Sequence, residues 1–180
     1  MINTLDYDSI IWVFDFDNTL IESTKNRLEL LEQETIELGI IQDIKKNMDF
    51  YKRLKSNGLT TAIITARHPQ FKKNIIQYTD NLNVYCRDFN LDKKEIERSY
   101  TQIEYKHDAL QKMIEFKARI LNDLAKDYLF VFFMDDYAQE FKYQSHLLVD
   151  KVYIIPPFHL YDGGYSIKGA IEHHKSLGLF

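Results

Sequence analysis

A single cysteine, Cys86, stands in this chain of 180 residues. No disulfide can close within it, and a cysteine-built zinc site, which needs several thiolates, is excluded. A reducing compartment fits that usage. Long apolar runs are also missing. No stretch approaches the roughly 18–20 uninterrupted apolar residues of a membrane span, and the opening residues, MINTLDYDSI, lack the basic-then-apolar pattern of a signal peptide. The expected setting is cytoplasmic, with no membrane partner. Positive charge is not in excess: the formal net charge is −4, whereas a dedicated duplex-DNA binder is basic overall. Internal repeats and low-complexity linkers are absent too, so one domain covering 1–180 is expected.

What is present reads as an ordinary globular protein. Apolar residues make up 45% and charged residues 28%. Twelve Tyr and twelve Phe predict an aromatic-rich core. The charge is uneven: residues 51–126 hold 15 Lys and Arg against 9 Asp and Glu, which leaves −10 for the rest. Such a basic middle reads first as solvated helix faces, and second as a surface for a polyanion.

Apolar runs of strand length recur at 9–14 (SIIWVF), 60–65 (TTAIIT), 82–86 (LNVYC), 129–134 (LFVFFM) and 151–155 (KVYII). Runs this continuous read as strands buried on both faces, the signature of a parallel sheet. Helical patterns lie between and beyond them, at 25–38, 41–56, 70–78, 108–126, 137–144 and 167–176. Asn57-Gly58 is a helix stop and Pro69 a helix start. Strand and helix in alternation predict an α/β three-layer sandwich, a Rossmann-like, mostly parallel sheet of about five strands.

The chemistry concentrates at strand ends. Asp15 and Asp17 follow the first apolar run, at the edge where ligands sit in open α/β sheets. Two carboxylates there are costly unless a cation or a hydrogen-bond network neutralises them. One residue between them lets the chain turn back over the same place. Asp15 can then serve as nucleophile and metal ligand, and Asp17 as proton donor to a leaving group. Asn18 suits the tight turn and Thr19 can tie it with its hydroxyl.

At these residues, Asp15-Phe16-Asp17-Asn18-Thr19-Leu20, the sequence resembles the first motif of the haloacid dehalogenase (HAD) superfamily. Three further motifs follow in order. Thr65 ends the second run, where a hydroxyl can hydrogen-bond a phosphoryl oxygen, and Arg67 lies two residues on, able to clamp a phosphate. Lys117, twelve residues before Leu129, falls where the family carries a lysine that steadies nucleophile and phosphoryl oxygens; Lys106, Lys112 and Arg119 are its rivals. Asp135 and Asp136 end the fourth run and complete a set of hard oxygen donors suited to Mg²⁺. The metal set is expected from Asp15, Asp17, Asp135 and Asp136, with Asp17 acting through backbone and Asp135 binding more directly than Asp136.

The resemblance implies a sheet of central order 5-4-1-2-3 and a Mg²⁺-dependent phosphohydrolase working through an aspartyl-phosphate on Asp15. Asn18, Thr19 and Arg67 would contact substrate. An acid at position 17 favours phosphatase over dehalogenase chemistry, since loss of halide needs no proton donor there. Neither the 21–59 nor the 87–107 interval is long enough for a large cap domain. The expected substrate is a phosphorylated metabolite or nucleotide. A second expectation, from a looser likeness to polynucleotide end-repair phosphatases, is a nucleic-acid end, with Arg67, Arg87, Lys93 and Lys94 on the backbone and Tyr85 and Phe89 for stacking. A third is a non-catalytic HAD-like binding module.

Overall fold

The computed structural model describes residues 7–21, 44–91 and 103–158. Five strands form one all-parallel sheet: β1 (Ile10–Asp15), β2 (Thr60–Thr65), β3 (Val84–Cys86), β4 (Phe130–Met134) and β5 (Val152–Ile155). Their order is β3-β2-β1-β4-β5, the order the family likeness implied. Four helices are described: α1 (Ile44–Ser56), α2 (Lys72–Thr79), α3 (Ile103–Asp127) and α4 (Ala138–Tyr143). The α/β three-layer expectation is met. Among the described residues no second domain stands over the sheet. The expected helices at 25–38 and 167–176 lie outside the described residues, as do Lys93 and Lys94.

Alternation along the strands builds two cores. Ile10, Trp12 and Phe14 of β1, with Phe132 and Met134 of β4, face α1 and α2. Ile11 and Val13, with Val131 and Phe133, face α3 and α4. Both central strands are therefore apolar at every position until their ends, as a sheet covered on both faces requires. Trp12 stacks on Phe132 with ring centroids 4.7 Å apart and meets Phe50 of α1 edge-on at 5.2 Å. The aromatic excess of the sequence is spent here.

Helix α1 ends as Asn57-Gly58 foretold. Gly58 takes φ +76°, and Gly58 N–H and Leu59 N–H donate to Lys55 and Leu54 carbonyls at 2.9 and 3.1 Å, a Schellman closure that lets the chain turn directly into β2. Pro69 opens a short 3-10 turn, Pro69–Phe71, that runs into α2.

Phe132 is 1% exposed and joins the sheet to the α1 layer. Phe132→Ala is expected to cost about 3–5 kcal/mol in urea unfolding. A loss below about 1 kcal/mol, as at surface sites, would contradict this packing.

Candidate active site

The same alternation that builds the cores places the acids. Asp15 follows Ile11 and Val13, and Asp135 follows Val131 and Phe133, so both point to the α3 side of the sheet. Strands β1 and β4 are neighbours in register, Phe14 beside Met134. The two carboxylates therefore meet at one level, at the carboxyl edge.

Helix α3 answers with a cation. Its buried stripe runs Ile114, Ala118, Leu121 and Ala125, and Lys117 falls within it, three residues after Ile114 and four before Leu121. Its side chain is 1% exposed, and Nζ donates to Asp15 Oδ1 at 2.8 Å and to Asp135 Oδ2 at 2.7 Å. Asp135 Oδ1 accepts from the Tyr137 backbone N–H at 2.7 Å. The rivals stand elsewhere: Lys112 and Arg119 are exposed, and Arg119 pairs with Asp88. Nothing is described of the Lys106 side chain.

Asp17 has a partner that sequence reading did not assign. Arg67 Nε donates to Asp17 Oδ1 and Oδ2 at 3.0 and 2.9 Å, and Nη2 donates to Oδ1 at 2.6 Å. Thr65 Oγ1 is 3.4 Å from Asp17 Oδ2 and accepts from the Arg67 backbone N–H at 3.2 Å. Thr65 thus links the end of β2 to the turn after β1. Arg67, expected as a phosphate clamp, is held by a carboxylate.

The turn itself is closed by backbone. Asn18 N–H donates to Ile21 O at 2.7 Å, and Leu20 and Ile21 N–H donate to Phe16 O at 3.0 and 3.1 Å. Asn18 takes φ 57°, a left-handed conformation that asparagine tolerates better than most residues. The expected turn-tying role of Thr19 is corrected here: it is fully buried and, among the described residues, its hydroxyl has no hydrogen-bond partner, so the turn is closed by backbone and not by that hydroxyl.

The donor set fits a hard divalent cation. Asp15, Asp135 and Asp136 each bring a carboxylate oxygen within 4.8 Å of the others; the Asp17 carboxylate is not in that group. Four acids, Asp15, Asp17, Asp135 and Asp136, gather here against two cations, Lys117 and Arg67, a deficit of two positive charges when all are ionised. The electrostatics express the same deficit. Burial, opposed by Lys117 and reinforced by Asp135, raises Asp15 from 3.8 to about 7. Burial, then Asp135 and Asp15, pushes Asp136 well above the ordinary carboxylate value. For Lys117, burial alone would lower the pKa, but Asp135 and Asp15 outweigh it and hold the ammonium well above an ordinary lysine. Mg²⁺, which takes a few carboxylates and keeps waters, suits such a half-open oxygen set.

Of the residues offered for nucleic-acid contact, four are described, and each has a contact within the protein. Phe89 packs edge-on against Phe116 at 5.8 Å, the Arg87 guanidinium lies 5.9 Å from the Phe89 ring, and Tyr85 packs against the α3-side core. Cys86 is a half-buried thiol whose pKa burial raises. His68 caps the turn at Pro69, its Nδ1 accepting from Gln70 N–H at 3.3 Å. Compared with models of protein families, with curated proteins and with solved structures, the chain matches none.

Two outcomes are expected. Lys117→Met leaves two buried carboxylates unpaired and should destabilise the metal-free protein by about 3–5 kcal/mol, read by urea unfolding; an unchanged midpoint would contradict the triad. Millimolar Mg²⁺ should raise the melting temperature of the wild type and not of an Asp135→Asn, Asp136→Asn double variant, since a ligand that binds only the folded state stabilises it. Equal shifts in both proteins would place the ion elsewhere.

Proposed function

We propose that the chain is a Mg²⁺-dependent phosphohydrolase of HAD type, with Asp15 as the nucleophile. The observation that carries this reading is the Asp15 carboxylate, buried at the carboxyl edge of a parallel sheet, held by Lys117 and flanked by Asp135 and Asp136. A carboxylate kept for structure alone would be replaced at lower cost by an apolar residue. Here three acids and a lysine converge on one point at the carboxyl edge of the sheet. The sequence motifs that resemble the family fall on these same residues.

The chemistry follows from their positions. A free oxygen of Asp15 attacks the phosphorus of a phosphomonoester as the ester P–O bond breaks. Asp17, two residues on and across the turn, gives a proton to the departing oxygen. Asp17 then takes a proton from water, the water oxygen bonds to phosphorus, and the P–O bond to Asp15 breaks, releasing phosphate and restoring both acids. In this reading Lys117 keeps Asp15 oriented and opposes the charge gathering on the phosphoryl oxygens, and the Thr65 hydroxyl, which lies 3.4 Å from Asp17, is assigned the same stabilising role. Asp15, Asp135 and Asp136 would hold a divalent ion, which would supply positive charge to the phosphoryl group. For Asp17 to act as an acid, its pairing with Arg67 must first loosen. Phosphoryl oxygens of an arriving substrate compete for the same guanidinium, which ties proton donation to substrate binding.

The test is release of inorganic phosphate from a panel of aryl, sugar and nucleotide phosphates, and of DNA and RNA oligomers with 3′ or 5′ phosphates, in the presence and absence of Mg²⁺. Release that depends on the metal and falls by about 10³-fold or more in Asp15→Asn is expected. Release that survives that substitution would remove Asp15 as nucleophile. No release from any member by folded, Mg²⁺-loaded protein would favour a binding module instead.

A further inference from the structure

A groove of about 200 Å³ opens beside Asp17, between the turn that follows β1 and helix α2. Phe71, Asn74, Ile75 and Tyr78 stand at helical spacings of three, four and seven and form one wall; Phe16 and Ile21 form the other. Phe71 is 39% and Tyr78 59% exposed, and the Tyr78 ring meets Phe16 edge-on at 6.0 Å. Arg67 belongs to both places. Its guanidinium carbon lies 5.2 Å from the Phe16 ring and 5.9 Å from the Phe71 ring, and its nitrogens hold Asp17. Arg67 therefore lines the groove and also holds Asp17.

We propose that this groove receives the leaving group of the substrate and that this group carries a nucleobase, so that the substrate class is a nucleoside monophosphate. The inference rests on the phosphohydrolase reading for the position of the phosphate, at Asp15. Its own support is the groove's chemistry. Two exposed aromatic rings beside an arginine offer faces on which any base stacks. The Asn74 amide both donates and accepts, as the edge of a base requires. Among the described residues that line it none is acidic, which suits an anionic ligand. From Phe71 to Tyr78 the helix advances about 10 Å. That length takes a sugar and a base in line, more than a single ring bonded to phosphorus would fill.

The experiment is calorimetric binding to Asp15→Asn protein in Mg²⁺, with adenosine and cytidine 5′-monophosphates, ribose 5-phosphate and phenyl phosphate as probes. Both nucleotides are expected to bind at least about tenfold tighter than ribose 5-phosphate. Adding Phe71→Ala and Tyr78→Ala should bring that ratio to within about twofold. Asn74→Asp, a single exposed change, should lower nucleotide affinity without altering the fold, as circular dichroism would verify. Equal affinities for nucleotides and ribose 5-phosphate, a preference for phenyl phosphate, a preference that survives loss of both rings, or no measurable binding would each overturn the proposal. Hydrolysis of ribose 5-phosphate by the wild type tests the phosphohydrolase reading separately. Turnover without base preference keeps the phosphohydrolase and removes the groove; base-dependent binding with no turnover of any ester keeps the groove and removes the phosphohydrolase.

Discussion

One ammonium group governs the architecture of the carboxyl edge. Strands β1 and β4 are neighbours in register, and each ends in an acid that the pleat turns to the same side. Charged together and dry, those acids would push the central strands apart. Lys117 Nζ, within hydrogen-bond distance of both, lets the two strands stay paired to their ends. It also fixes α3, because the stripe that buries Ile114 and Leu121 must carry Lys117 to the level of the acids. A buried ion triad is weak evidence for stability, since a well-packed apolar replacement often does as well or better.

The fold was legible because the sheet is covered on both faces. Five apolar runs bounded by polar segments read directly as strands, and their observed starts differ from the expected ones by at most two residues. The largest difference is at β3, which begins at Val84 rather than at residue 82. There Leu82, 82% exposed, sits outside the sheet although its composition reads as strand. The strand-end acids were legible for the same reason: carboxylates that close an uninterrupted apolar run have nowhere polar to go except the edge.

The rest of the site was legible only in part: Lys117 was named from its distance to the next strand, and a second signal for it, like the partners of other residues, went unread. Lys117 could be singled out from its rivals by its spacing to Ile114 and Leu121, a signal carried by helix period rather than by distance to the next strand. The Arg67–Asp17 pair joins residues 50 positions apart, and no local pattern announces it. Arg67 follows a strand end just as a phosphate-binding arginine would; whether it meets substrate or a neighbouring acid depends on where the turn after β1 brings Asp17. The Thr19 hydroxyl misled because threonine suits turns, while here the backbone closes the turn and the side chain falls inward. Phe71, Asn74 and Tyr78 are unremarkable letters on a short helix, and they gain meaning when the Phe16 turn comes alongside.

The position of β1 has a consequence for how the chain is made. It is the first of the five strands to leave the ribosome, yet it is the centre of the sheet. Its partner β2 begins at Thr60 and its other partner β4 at Phe130. Until the second of these has been synthesised, one edge of a strand with no exposed residue in the finished protein stays unpaired, and Asp15 waits 102 residues for Lys117. Contacts of this sequence separation slow folding and prolong exposure of apolar segments. A nascent chain carrying Ile10 to Phe14 without a partner is the form most in need of a chaperone, and Lys117 is among the last residues to arrive that make the centre complete.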